Sequence, residues 1–265
     1  MAKQPAMRSG ARLVVDALVA HGVDTAFCVP GESYLEVMDS LYDLGKKFNL
    51  VTCRHEHGAA FMAEAQGKLT GRPGVALVTR GPGACNAAIA VHTAFQDSTP
   101  MILLIGQVQR GFIGREAFQE VDLNAMFDPL AKGVGQIESA DQVPEAMAWA
   151  FQEAMTGRRG PVVLALPEDV QHELSAMPDI PPLPVEPVAP DVQQIDRLSA
   201  MIAVYVTNPV VIVGGSGWTS QAKDDLRAYI DTTNMPVCCS FRRQDIFDNR
   251  HPCFIGDLSL GPNPA

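Results

Sequence analysis

Charged side chains are scarce in this 265-residue chain, at 19%, while apolar residues make up 47%. A disordered segment needs the opposite balance, so the composition points to a large buried core. No basic run is present and the formal net charge is −10, which argues against nucleic acid, whose phosphates demand a positive face. Apolar runs are short: Met101 to Ile105 falls far below the roughly twenty residues of a helical membrane span. Residues Met1 to Gly10 lack the apolar centre of a signal peptide, so a soluble, cytoplasmic protein without a membrane partner is expected. No Cys-x-x-Cys pair occurs among Cys28, Cys53, Cys85, Cys238, Cys239 and Cys253. A disulfide framework or zinc site is therefore the poorer explanation, and no metal ligands are assigned. Also missing are the Gly-x-Gly-x-x-Gly fingerprint and a glycine loop ending in Lys-Ser/Thr, which removes the usual signs of dinucleotide and P-loop binding.

What is present is regular alternation. Helical spacing is predicted over Ala11–Ala20, Tyr34–Leu44, Glu56–Leu69, Cys85–Phe95 and Pro144–Met155. Strands are expected at Thr25–Val29, Leu50–Cys53, Val75–Thr79, Met101–Ile105 and Pro161–Pro167. These strands are unbroken apolar runs rather than alternating ones, so both faces are buried. That pattern predicts an α/β fold over residues 1–170, a parallel sheet flanked by helices. Between Met177 and Pro190 lie six prolines, which exclude regular structure and favour a stiff linker, drawn at 171–191. The pattern restarts over 192–265, with helices near Ile195–Tyr205 and Ala222–Asp231 and strands at Pro209–Val213 and Val237–Phe241. Two or three strands are too few for a well-stabilised α/β domain, so this second domain is expected to be partial.

Several residues stand where chemistry would need them. Glu56, in Cys53-Arg54-His55-Glu56-His57-Gly58, falls where a strand gives way to a helix. Strand ends shield such a carboxylate from water and raise its pKa. On its own it is equally a helix-start glutamate favoured by the dipole. Arg54, two residues back along a strand, would share its face and oppose that shift. His55 and His57 flank it as alternate strand residues, a weak basis for a metal site and a better one for packing. Pro30-Gly31 follows a strand and is at least a turn pair. Thr79-Arg80-Gly81-Pro82-Gly83-Ala84-Cys85-Asn86 is a glycine loop opening a helix, a place that also suits an anion. Gln119, in Arg115-Glu-Ala-Phe-Gln-Glu-Val-Asp122, resembles an ordinary helix start. Gly214-Gly215-Ser216-Gly217 follows a strand and would bind a nucleotide or simply turn.

Taken in order, Val29-Pro30-Gly31-Glu32, Cys53 to Ala60, Thr79 to Asn86 and Ala117-Phe118-Gln119-Glu120 resemble the pyrimidine-binding domain of thiamine diphosphate enzymes. The likeness is strongest to the acetolactate synthase-like group. It implies that Glu56 hydrogen-bonds a ring nitrogen of the aminopyrimidine and favours its imino tautomer, whose exocyclic nitrogen deprotonates the thiazolium. It places Pro30, Gly31, Thr79, Pro82, Gly83 and Asn86 at the cofactor. Gln119 would reach the substrate side and act in catalysis with Glu56, Phe118 would wall the pocket, and Arg115 and Lys132 would hold a substrate carboxylate. Two positions depart from the group: Glu32, where glycine is usual, and Cys85, where threonine is common.

The resembling enzymes hold magnesium and diphosphate through a Gly-Asp-Gly motif on a third domain. That motif is missing, Gly256-Asp257-Leu258 being the nearest approach. Thiamine diphosphate with magnesium is the implied cofactor, its charged end on a domain absent here. FAD is implied for the Gly214 loop in the acetolactate synthase group, while other members carry nothing there. The chain is thus expected to be the N-terminal portion of a transferase or lyase acting on 2-oxo acids, by carboligation or decarboxylation, inactive alone and at least dimeric. A non-catalytic or split-enzyme subunit and a Rossmann-type nucleotide-binding protein are the alternatives.

Overall fold

The unbroken apolar runs pair side by side in one direction. In the computed structural model, residues 6–185, 189–205, 207–258 and 261 are described, and the chain forms two units, Met1–Glu186 and Pro187–Ala265. The first unit begins with β1 (Arg8–Ser9) and α1 (Gly10–Ala20), capped by Ser9, whose hydroxyl accepts from the Arg12 N–H. There follow β2 (Thr25–Cys28), α2 (Leu35–Tyr42), β3 (Asn49–Thr52), α3 (Glu56–Thr70), β4 (Gly74–Val78), α4 (Gly81–Asp97) and β5 (Met101–Gln107). The unit continues with α5 (Leu123–Phe127), β6 (Gly133–Gln136), α6 (Val143–Met155), β7 (Pro161–Pro167), α7 (Glu168–His172) and β8 (Leu174–Ser175). Six strands form one parallel sheet in the order β3-β2-β4-β5-β7-β6, and β1 pairs antiparallel with β8.

Alternate residues of the central strands go to opposite faces, as the period of two requires. Val75, Leu77, Ile102, Leu104, Val162 and Leu164 pack with α1 and α6. Ala76, Val78, Leu103, Ile105, Val163 and Ala165 pack with α3 and α4. Each fully buried Leu, Ile or Val contributes about 1.5–3 kcal/mol of transfer free energy. Both faces are covered, as the sequence predicts for parallel strands.

The expected elements of this unit are present with ends moved by a few residues. The edge strand β6 is not foreseen, because Gly133-Val-Gly-Gln136 is half-buried and forms no apolar run. The short β8 and the last two residues of α7 fall within the stretch read as linker; from 176 to 185 the chain has no helix or strand, and Pro187 lies outside the described residues. The second unit contains α8 (Val192–Tyr205), β9 (Val211–Val213), α9 (Ser220–Thr233), β10 (Val237–Ser240) and β11 (Phe254–Leu258). Its three strands run parallel in the order β11-β10-β9 around Val213, Ile230, Val237, Cys239, Ile246 and Phe247. Gly256 and Asp257 lie on β11, which is not among the predicted strands. Among the described residues no helix is long and apolar enough to cross a membrane.

Helices α3 and α4 meet the sheet through small residues, with Ala59, Ala60, Ala63 and Gly67 buried on one and Gly83, Ala84, Ala87 and Ala90 on the other. A Cβ at Gly67 would stand 2.1 Å from the backbone oxygen of Pro100, which cannot yield without moving the strand entry. Gly67→Ala should therefore destabilise the first unit by about 1–3 kcal/mol. The midpoint of urea unfolding measures this, and an unchanged midpoint would contradict the packing described.

Candidate active site

The C-terminal ends of β2, β3, β4, β5 and β7 share one edge of the sheet, and the segments that follow them gather there. Glu56 is the first residue of α3, just beyond β3, and is half-buried. Its helix is capped by His55, whose Nδ1 accepts from the His57 N–H at 3.2 Å. A carboxylate in this first turn is favoured by the partial positive charge of the helix end. Glu56 Oε2 accepts from Asn86 Nδ2 at 2.9 Å, linking α3 to α4. Glu56 Oε1 faces Gly83, where a Cβ would lie 3.5 Å away and also 3.3 Å from Thr79 Cγ2.

Thr79 binds this group to the turn after β2. A Cβ on Gly31 would stand 2.6 Å from Thr79 Cβ, so only glycine lets the Pro30-Gly31 backbone come so close. Ser33 Oγ and Thr79 Oγ1 are 2.8 Å apart. Tyr34 is buried beneath, donating its hydroxyl to the Val29 carbonyl. Burial, then the proximity of Cys28 and Glu56, pushes its phenol far up, so it stays a donor. Gly31, Glu56, Thr79, Gly83 and Asn86 therefore form one contiguous set, with Pro30 and Pro82 exposed beside it. Pro82 sits in the first turn of α4, where its missing N–H is harmless.

The loop bearing Gln119 is pinned to the same helix start. The Gln119 carbonyl accepts from the Gly81 N–H at 2.9 Å, and Gln119 itself has φ 63°, so it is a turn residue rather than a helix start. Glu120 clasps this loop, accepting from the N–H groups of Gly114 and Ala117, and those bonds hold its carboxyl below the usual range. Phe118 is 71% exposed and Arg115 is exposed on the same loop.

Some expectations fail. Lys132 precedes β6 at the opposite end of the sheet, and its ammonium donates to the carbonyls of Glu153 and Thr156, so it has no place in this site. Arg54 is exposed and lies beyond the end of β3, not on a strand face with Glu56. His55 and His57 are a cap and a helical residue, not alternate strand residues, and His57 packs edge-on to Phe61 at 4.8 Å. Sequence reasoning also overlooked Arg80, which is buried. Its Nη1 donates to Glu32 Oε1 at 2.9 Å and its Nη2 donates to Glu168, the first residue of α7. The available signal was an arginine inside a run of small residues, since a buried charge requires partners. Nearby, Arg110 ties the segment after β5 to α7 through Asp169 at 2.7 Å and through Glu173.

Residues 8–126 match the thiamine pyrophosphate enzyme N-terminal TPP binding domain, and residues 195–265 match the central domain of the same enzymes. The acetolactate synthase isozyme 3 large subunit of Escherichia coli is 35% identical over 261 residues, covering 96% of this chain and 45% of that protein. The isozyme 2 large subunit from the same organism is 36% identical, over 95% of this chain and 45% of its own length. A probable acetolactate synthase large subunit of Methanocaldococcus jannaschii is 36% identical, over 95% and 43%. The chain belongs to the thiamine pyrophosphate enzyme family and is acetolactate synthase-like. It spans less than half the length of these relatives.

The charged ties at the sheet edge make stability depend on pH. Burial alone would raise the pKa of Asp169, but the hydrogen bonds and charge of Arg110 outweigh it and hold the carboxyl below its ordinary value. A depressed folded pKa gives stability that is present above the unfolded value, about 3.9, and is lost as pH falls through the folded one. Arg110→Met should therefore lower Tm most at about pH 6, with the gap to the parent closing below about pH 4. A gap of equal size at both ends would show that Arg110 acts through packing alone.

Proposed function

We propose that this chain is the cofactor-activating portion of a thiamine diphosphate-dependent enzyme that acts on 2-oxo acids, by carboligation or decarboxylation. The observation that carries this reading is the setting of Glu56. One carboxyl oxygen is fixed by Asn86, and the other is turned toward Gly83, which has no side chain to cover it. What supports a fit to the group is that Gly31 and Gly83 carry no side chain where one would crowd Thr79, and Gly83 lies close beside Glu56. Thiamine diphosphate, when bound, supplies a nucleophilic carbon that adds to the carbonyl of a 2-oxo acid. Glu56 would hold a proton against a ring nitrogen of its pyrimidine, with Asn86 keeping the carboxyl oriented. Backbone at Gly31 and Gly83 would approach the ring, flanked by Pro30, Thr79 and Pro82. Gln119 would offer its amide to the reacting oxygen, Phe118 would exclude water, and Arg115 would meet the substrate carboxylate.

Magnesium and diphosphate are assigned to a domain outside this chain. Among the described residues no group of three or more His, Cys, Asp or Glu is placed to hold a metal ion. FAD is proposed for the Gly214–Gly217 loop on the resemblance alone, and a cytoplasmic location on the composition.

In the full-length protein, Glu56→Gln should slow proton–deuterium exchange at the thiazolium carbon by roughly two or more orders of magnitude, as loss of a general acid–base does. Unchanged exchange would remove Glu56 from the mechanism. At least a dimer is also proposed, because the exposed Phe112, Ile113 and Phe118 lie beside the site. Light scattering of the full-length protein at micromolar concentration reads this directly, and a monomer there would refute it.

A further inference from the structure

Arg80 is a cation that the proton chemistry above does not use. Its side chain is only 9% exposed, and its Nε is buried without a hydrogen-bond partner. Both of its terminal nitrogens are already taken, one by Glu32 and one by Glu168. Two carboxylates around one guanidinium leave the cluster with one negative charge in excess. The two are not equivalent, for Glu32 is 64% exposed and Glu168 only 24%. Glu168 and Arg80 together close an open concavity of ≈ 190 Å³ walled by Val108, Phe112, Ala117 and Phe118. Glu32 does not line this concavity; it borders a second one beside Gln171 and His172, whose walls also include Arg80 and Glu168.

We propose that the Glu168–Arg80 pair selects the acyl group the pocket accepts, favouring a small one that ends in a hydrogen-bond donor and rejecting one that ends in a second carboxylate. This rests on the action on 2-oxo acids proposed above. An arriving carboxylate must compete for Arg80 with Glu32 and Glu168, which already hold its two terminal nitrogens, and its Nε is buried out of reach. It also meets the Glu168 carboxylate at the wall of the concavity, where like charges repel. A hydroxyl group instead finds an acceptor in Glu168, while the aromatic and aliphatic walls take the short carbon chain. Glu32 stands where the acetolactate synthase group has glycine. The triad is thus a feature of this chain beyond the Gly31, Glu56, Gln119 set.

The test compares 3-hydroxypyruvate with 2-oxoglutarate on the full-length protein loaded with thiamine diphosphate and magnesium. The expected kcat/KM ratio is about tenfold or more in favour of 3-hydroxypyruvate. Glu168→Gln keeps an oxygen for Arg80 but removes the excess charge, and should reduce that ratio at least about fivefold. Glu32→Gln makes the same change of charge outside the pocket and should leave the ratio within about twofold. Equal use of both acids by the parent would overturn the proposal, and so would a ratio that Glu168→Gln does not move. The parent ratio decides the matter even if Glu168→Gln does not fold. Saturation-transfer NMR of the same two acids on the cofactor-free protein gives the preference independently of turnover. Calorimetry with thiamine diphosphate separates the two readings. Cofactor binding without discrimination between the acids overturns this inference alone; absent cofactor binding overturns the reading beneath it and leaves the NMR ratio to decide the pocket.

Discussion

The site depends on one constraint: a parallel sheet buried on both faces. When β2, β3, β4, β5 and β7 all run one way, their ends share an edge, and every following segment must begin there. Hydrogen-bonding groups left over at strand ends and helix starts then face one another across a few ångströms. The Pro30-Gly31 turn, the start of α3 and the start of α4 meet for that reason. None of these contacts needs sequence proximity, since Gly31 and Thr79 are brought together by the pairing of β2 with β4.

Two kinds of packing serve that edge. On the face toward α3 and α4 the contact is through alanine and glycine, which lets backbone come close and leaves side chains few ways to rearrange. On the side toward α7 the ties are ionic, with Arg80 and Arg110 reaching Glu168, Asp169 and Glu173. Apolar contact is indifferent to direction, while a guanidinium fork is not. The first sets how near the elements lie, and the second sets how they are turned.

The sequence made the central strands legible because their apolar runs are unbroken, and Glu56 because it follows one such run directly. Lys132 was misplaced because residue type says nothing about which end of a strand a side chain occupies; the start of β6 lies far from the ends of β3 and β4. Strand β6 itself was invisible, its two glycines and partial burial leaving no periodic signal. Arg80 was hidden for another reason. Its partners are 48 and 88 residues away, and a buried ion pair depends on three-dimensional closure that local pattern does not encode. The Asn86 amide bonded to Glu56 belonged to a motif already noticed, but the bond itself follows from how two helices pack.

Those two helices are joined across the site by one side-chain bond. Glu56 and Asn86 stand in the N-terminal parts of α3 and α4, whose buried faces are mostly alanine and glycine. A displacement of one helix along the other would strain the carboxyl–amide bond that joins them. The 2.9 Å bond between them therefore depends on the packing of the helix pair as well as on the two side chains.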